Sequence, residues 1–257
     1  MHPILLEFGI LKIFTYGLLV ATGFFVGIVL AARQGQKEGL DSARILDLCF
    51  YLLIASILGG RLLYVIVEYR YFVSNPLEML KFWKGGLVYY GGLMAAVATG
   101  WYFMRKFDLP FWKTADVLAP SIAIGQAIGR WGCFFAGCCY GVRTDAPWAI
   151  TFTNLDSLAP LNVPLHPTQI YLSLNALVIF FVLLWVQKKK RFDGQVLLTY
   201  GILYSIGRFI IEFYRGDDRG YAVPEMLSTS QFIGIFIFGL SMVLWARRKR
   251  TEAAKAS

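Results

Sequence analysis

The sequence predicts an all-α fold: a polytopic membrane helical bundle of seven transmembrane helices, with a periplasmic N-terminus and a cytoplasmic C-terminus. Three observations predict it. Of 257 residues, 57% are hydrophobic and 16% charged, against about 25% charged in an ordinary soluble domain, and the mean hydropathy is +0.57. The apolar residues gather into stretches close to the roughly 20 residues that cross a bilayer. The basic residues lie at the ends of those stretches, on alternating sides. With an external N-terminus, fifteen Lys and Arg fall in internal stretches and six in external ones, as the excess of cytoplasmic positive charge requires. An even number of spans would break that pattern, so seven is preferred.

In chain order, the first predicted span covers residues 13–32. Residues 1–16 lack a basic region and a small-residue cleavage site, so this helix is expected to be retained. The second span is 46–67. After it, residues 69–85 interleave Tyr71, Phe72, Leu77, Leu80 and Trp83 with Arg70, Glu78, Lys81 and Lys84, the pattern of an interfacial amphipathic helix. The third and fourth spans are 86–104 and 115–135. A periplasmic loop over 136–167, with its Gly, Pro, Asn and Asp, is expected to be irregular. The last spans are 168–187, 196–213 and 228–246. Residues 1–257 read as a single transmembrane domain with no room for a sizeable soluble one. The net charge of +9 is topological, so no nucleic-acid partner is expected; the bilayer is the first partner.

Charges inside spans are the first functional signal, because each costs at least about 2.5 to 3.5 kcal/mol at a helix centre on insertion scales. They are Arg61, in Gly59-Gly60-Arg61; Arg130, in Gly125-Gln126-Ala127-Ile128-Gly129-Arg130-Trp131-Gly132; and Arg208 with Glu212, four apart and so on one helix face. Arg215 extends that strip outward. Arg61 is open to a snorkelling role, and Arg208 with Glu212 to a purely internal ion pair. Several arginines with few acidic neighbours equally suit an anionic ligand, and the forked donors of guanidinium match a phosphate. Gly85-Gly86, Gly91-Gly92, Gly125, Gly129 and Gly132 permit close helix approach; around Arg130 and Tyr90 the same small surfaces would leave space for a lipid headgroup.

Cys49 lies in an apolar span and reads as a small buried hydrophobe. Cys133, Cys138 and Cys139 cluster on the outer side, where three readings stay open: a disulfide from Cys133 to Cys138 or Cys139, a metal site including His166 at a spacing that matches no familiar zinc pattern, or packing and a reactive thiol. His166, at the mouth of the fifth span, is either a base or an interfacial polar residue. No nucleotide loop or dinucleotide fingerprint occurs, so no cofactor and no resident metal are expected.

Taken together, His2-Pro3-Ile4-Leu5, Tyr16-Gly17-Leu18, Gly85-Gly86-Leu87-Val88-Tyr89-Tyr90-Gly91-Gly92-Leu93, the glycine-rich block around Arg130, His166-Pro167-Thr168-Gln169-Ile170-Tyr171, and Arg208-Phe209-Ile210-Ile211-Glu212-Phe213-Tyr214-Arg215-Gly216-Asp217 resemble the prolipoprotein diacylglyceryl transferases along almost the whole chain. The resemblance implies a seven-span inner-membrane enzyme that moves the diacylglyceryl group of phosphatidylglycerol to the lipobox cysteine of a prolipoprotein, releasing glycerol 1-phosphate. It implies that Tyr16, Arg130, Gly141, Arg208 and Glu212 match residues the family depends on. The chain departs from it at Cys133 and Ala136, where Asn is common, at Cys138, where Glu is common, at Tyr90, where the well-studied branch has His, and at Leu172, where a Glu follows the Gln-Leu-Tyr element. On this reading the expected catalytic set is Tyr90, Arg130, His166, Arg208 and Glu212, and the expected substrate-binding set Tyr16, Arg61, Gly129, Gly141, Gln169 and Arg215. Tyr90, His166 and the substrate phosphate are the three candidates to accept the thiol proton. A paralogue that binds or transports anionic phospholipid, a transferase with another acceptor and a thiol redox protein are the alternatives.

Overall fold

The structure, a computed structural model, describes residues 2–8, 11–81, 85–217, 221–223 and 227–256. In chain order its elements are β1 (Ile4–Phe8), β2 (Leu11–Phe14), α1 (Thr15–Lys37), α2 (Ser42–Val67), α3 (Tyr69–Ser74), a 3₁₀ turn (Pro76–Leu80), α4 (Tyr89–Lys106), α5 (Phe111–Ala136), β3 (Ile150–Thr151), β4 (Pro164–Leu165), α6 (Thr168–Lys189), α7 (Gln195–Glu212), β5 (Tyr221–Val223), β6 (Leu227–Ser228) and α8 (Thr229–Ala256). Each predicted span falls on a helix. Four of these, α1, α2, α6 and residues 229–252 of α8, are long and apolar enough to cross a membrane. The other three, α4, α5 and α7, carry Gly91, Gly92 and Gly100, Pro120 and Arg130, and Arg208 with Glu212. Phe25, Leu58, Val97, Val178 and Phe236 are each more than 60% exposed. Large apolar side chains left outward on so many helices need a hydrocarbon solvent, so the fold is a polytopic α-helical membrane fold.

Two local expectations are corrected. The stretch read as one interfacial helix over 69–85 is broken at Asn75-Pro76 into α3 and the 3₁₀ turn. Proline lacks an amide donor and drives the residue before it away from helical dihedrals. Phe82, Trp83 and Lys84 lie outside the described residues. The chain also contains three two-stranded ladders that a search for helices passes over. In the first, β1 and β2 are antiparallel with Glu7 facing Lys12, and the pair closes at 2.8 Å. The carboxylate of Glu7 holds the Lys12 ammonium above its ordinary pKa.

The chain divides into two compact units, residues 31–114 and residues 1–30 with 115–257. In the smaller, α2 packs on α4 through small residues. A Cβ on Gly92 would lie 2.8 Å from the carbonyl oxygen of Ser56, and one on Gly59 would strike Ala95 and the carbonyl of Gly91. In the larger, α7 packs against both α6 and α8, and Ala119, Ala123, Ile179, Leu183, Val186 and Val196 form its core. Residues 15–30 of α1 approach α5 equally closely: a Cβ on Gly23 would lie 2.8 Å from the Gly125 carbonyl, and one on Gly132 3.1 Å from that of Tyr16. At the start of α7, fully buried Asp116 accepts hydrogen bonds from the amides of Gly194 (2.8 Å) and Leu197 (2.9 Å) and pairs with Lys190 at 3.6 Å. A side chain from α5 thus supplies the acceptor that the first turn of α7 lacks in its own sequence.

Candidate active site

The candidate site lies in the larger unit, where α5, α7, the turn after α5 and the start of α8 bring charges together. Arg208 is 7% exposed. The one-turn spacing on α7 ion-pairs one of its nitrogens with Glu212, and Nη2 donates to Ser230 Oγ at 2.8 Å. Glu212 also accepts from Ser228 Oγ at 2.8 Å and lies 3.7 Å from Arg215 Nε. One buried carboxylate therefore stands between two cations. Arg215 is held as well by Asp217, Nε at 2.9 Å and Nη2 at 2.5 and 2.6 Å. Its Nη1 is buried without a hydrogen-bond partner among the described residues. An unmet donor on a buried guanidinium is costly, and it is the kind of atom that an anionic ligand satisfies.

Ser228, Ser230 and Gln231 were not singled out in the sequence, although a signal for them exists. Ser228-Thr229-Ser230-Gln231 before an apolar run is a capping-box pattern. The structure forms it: the amide of Gln231 donates to Ser228 Oγ at 3.2 Å, and the amide of Ser228 donates to Gln231 Oε1 at 3.1 Å. The cap that starts α8 also orients the hydroxyl that reaches Glu212. Asp217, the principal partner of Arg215, was seen only as the end of a motif.

Arg130 enters from α5, and its Nη1 donates to Cys139 Sγ at 3.9 Å. The turn that presents Cys139 is tightly specified. Gly137 has φ +76° and Cys139 φ +60°, the latter an uncommon conformation for a residue with a side chain. Thr168 Oγ1 donates to the Cys139 carbonyl at 2.7 Å and Gln169 Nε2 to that of Cys138 at 2.8 Å. Gly141 donates its amide to the His166 carbonyl at 3.0 Å and forms an antiparallel bridge with Arg215. A Cβ at Gly141 would lie 2.5 Å from His166 Cβ and 2.6 Å from the Tyr214 carbonyl. Only glycine lets these three strands of backbone meet. Arg130, Arg215 and Arg208 are in this way joined through a continuous set of contacts within one unit.

His166 packs its ring edge-on to Tyr214, centroids 5.2 Å apart, and its Nδ1 lies 3.1 Å from Tyr171 OH, which accepts from Trp148 Nε1 at 2.7 Å. Tyr16 is 45% exposed at the start of α1, its backbone against Gly132. Gly129 is roomy: a Cβ there would meet only Val20 Cγ2, at 4.0 Å. The sulfurs of Cys133, Cys138 and Cys139 lie within 4.8 Å of one another, and none of the three is in a disulfide. Hydrogen bonding to Cys133 and Cys139, followed by burial, holds the Cys138 thiol well above its ordinary pKa. His166 does not join this group.

Three expected ligand-binding residues make contacts within the chain. Gln169, fully buried, holds the Cys138 turn, and Gly141 makes a backbone crossing possible. Arg61 is held by its own chain. In the smaller unit its Nε donates to the Met79 carbonyl at 3.0 Å, Nη1 to those of Gly85 (2.7 Å) and Gly86 (3.2 Å), and Nη2 to that of Glu78 at 2.5 Å. A guanidinium occupied by four carbonyls of its own chain closes the linker between α2 and α4. Tyr90 also belongs to that unit, in the first turn of α4, 44% exposed and edge-on to Tyr89 with centroids 5.7 Å apart.

The sequence matches known proteins over nearly the full chain. The family model of prolipoprotein diacylglyceryl transferase matches residues 3–247. Among curated relatives named phosphatidylglycerol–prolipoprotein diacylglyceryl transferase, that of Clostridium tetani is 40% identical over 93% of this chain and 98% of its own. That of Geobacillus kaustophilus is 37% identical over 98% and 94%, and that of Synechococcus elongatus 36% over 95% and 86%. With the matched region reaching from β1 into α8 and taking in every residue of the arginine network, the chain belongs to the prolipoprotein diacylglyceryl transferase family.

Proposed function

We propose that the protein is a multi-pass transferase of the bacterial inner membrane that moves the diacylglyceryl group of phosphatidylglycerol to the lipobox cysteine thiol of prolipoprotein signal peptides, releasing glycerol 1-phosphate. Family membership and the transfer reaction in the relatives' names support the reaction. Seven spans, with the N-terminus outside and the C-terminus inside, are supported by the seven long helices and the distribution of basic residues.

The observation that carries the site assignment is the linked set Arg130, Arg215 and Arg208 around one buried carboxylate. Arg208 and Arg130 hold the phosphate of the lipid, and Arg215 offers its buried Nη1. As the glyceryl carbon–oxygen bond breaks, negative charge grows on the departing phosphate. Fixed guanidinium donors stabilise it without having to reorganise. Glu212, with Ser228 and Ser230, keeps the Arg208 fork in register. Tyr16 and Gly129 flank the lipid. The incoming thiol, with a reference pKa of about 8.5, must lose its proton to attack; Tyr90 and His166 are the side chains proposed for that step.

The test is mass analysis of a lipobox peptide incubated with purified protein and phosphatidylglycerol. The peptide should gain one diacylglyceryl group. Arg130→Ala and Arg208→Ala should each reduce the rate by about 10² to 10³, the loss that follows removal of one donor to a developing anion. Full activity in both would remove the phosphate clamp.

A further inference from the structure

Among the described residues, the three outer thiols are the cluster of metal-ligating side chains to which the phosphate clamp assigns no chemical role. Their sulfurs converge within 4.8 Å. A zinc ion with Zn–S bonds of about 2.3 Å sets sulfurs about 3.8 Å apart in a tetrahedron, so the three side chains need close in by only about 1 Å. The backbone is committed to this convergence. Cys139 adopts φ +60°, and Thr168 and Gln169 pin the carbonyls of Cys139 and Cys138. Among the described residues no fourth His, Cys, Asp or Glu joins the group. Three protein ligands and an open fourth position distinguish catalytic zinc sites from closed structural ones.

We infer that Cys133, Cys138 and Cys139 bind a thiophilic divalent cation, zinc by preference, whose open position takes the thiol of the incoming lipobox cysteine. The inference rests on the transferase reading and gives the thiol a route to deprotonation other than Tyr90 or His166. Soft thiolate ligands select zinc over hard cations, and zinc lowers the pKa of a bound thiol enough to deprotonate it. The steps balance. The lipobox thiol gives its proton to water as sulfur takes the fourth position; that sulfur then forms the carbon–sulfur bond to the glyceryl carbon, and the carbon–oxygen pair departs with the phosphate. The products are a neutral thioether and glycerol 1-phosphate, and no electron is exchanged with the metal. Three thiolates and one zinc carry a single excess negative charge, and the Arg130 guanidinium stands 3.9 Å from Cys139. One arginine would then adjoin both the nucleophile and the leaving group.

The test uses the full chain in detergent, loaded with cobalt(II) as a coloured substitute for zinc. About one cobalt per chain should bind, with thiolate-to-metal charge-transfer absorption, and a lipobox peptide should shift the ligand-field bands while the same peptide with its cysteine replaced by serine should not. Cys139→Ser should weaken cobalt binding by more than about tenfold, since even changes outside the ligand sphere cost that much. Failure of the wild-type protein to retain cobalt, a disulfide among the three cysteines on thiol counting, or a spectrum indifferent to the cysteine peptide would each overturn the inference. Undiminished diacylglyceryl transfer after exhaustive chelation would also overturn it and leave the transferase reading standing. If zinc-loaded protein binds the peptide thiol yet never modifies it in the presence of phosphatidylglycerol, the transferase reading fails while the metal site stands.

Discussion

Replacing Glu212 by Gln keeps the shape of the side chain and removes the one carboxylate between Arg208 and Arg215. The two arginines are not affected alike. Arg215 retains Asp217 at 2.5 to 2.9 Å, whereas Arg208 is left with the neutral hydroxyl of Ser230. The side chains of Arg208 and Glu212 are only 9% and 8% exposed, which decides the scale. Breaking a solvated pair costs under about 1 kcal/mol; stranding one partner of a buried pair costs about 3 to 5 kcal/mol. Glu212→Gln should therefore destabilise the protein by about 3 kcal/mol or more. Its transfer rate should drop by at least about 10²-fold, at 1.36 kcal/mol per factor of ten, because the Arg208 fork loses its register. Thermal unfolding in detergent, followed by intrinsic tryptophan fluorescence, measures the first quantity, and the lipobox-peptide assay on folded protein the second. A loss below about 1 kcal/mol together with activity within fivefold of wild type would mean that the pair is effectively solvated and that Glu212 does not position Arg208.

Gly23→Ala should destabilise by about 1 to 3 kcal/mol, because its Cβ would sit 2.8 Å from the Gly125 carbonyl, a backbone atom that cannot move aside cheaply; unfolding midpoints test this. Gly129→Ala has room to fold, so a selective rise in KM for phosphatidylglycerol is expected, and unchanged kinetics would remove Gly129 from the lipid contact. Arg61→Lys cannot reproduce a fork that serves four carbonyls; it should lower stability and leave KM for phosphatidylglycerol within about twofold, and a large KM effect would return Arg61 to the substrate. Asp116→Asn removes the charge facing Lys190 and one of two amide acceptors. The expected loss is about 1 to 3 kcal/mol, with no specific change in kcat, checked by unfolding and turnover together. In metal-free protein, the raised pKa of Cys138 predicts alkylation at pH 8 slower than that of an unperturbed cysteine, followed by mass spectrometry of the labelled peptide.

The sequence by itself determined the solvent and the chemistry of this protein. Apolar stretches of membrane-crossing length and the placement of Lys and Arg pointed to helices in a bilayer, since a helix satisfies its backbone locally and hydropathy adds along it. The pairing of Arg208 with Glu212, four apart on one helix, is legible for the same reason: i,i+4 geometry is local. The capping box at Ser228 was equally local and could have been read. Only the tertiary structure decided where the donors of each arginine go. Arg61 and Arg130 look alike as charges beside glycines in apolar runs, yet one guanidinium is consumed by carbonyls 17 to 25 residues away and the other meets a sulfur in the turn beyond its helix. Likewise Gly125 and Gly129 share a motif, but Gly125 is pressed against the backbone of α1 at Gly23, whereas Gly129 meets only the tip of Val20 at ordinary contact distance. Hydrogen-bond satisfaction and close packing are settled by which backbone arrives opposite a residue, and that follows from the packing of distant segments, which no spacing along the chain encodes.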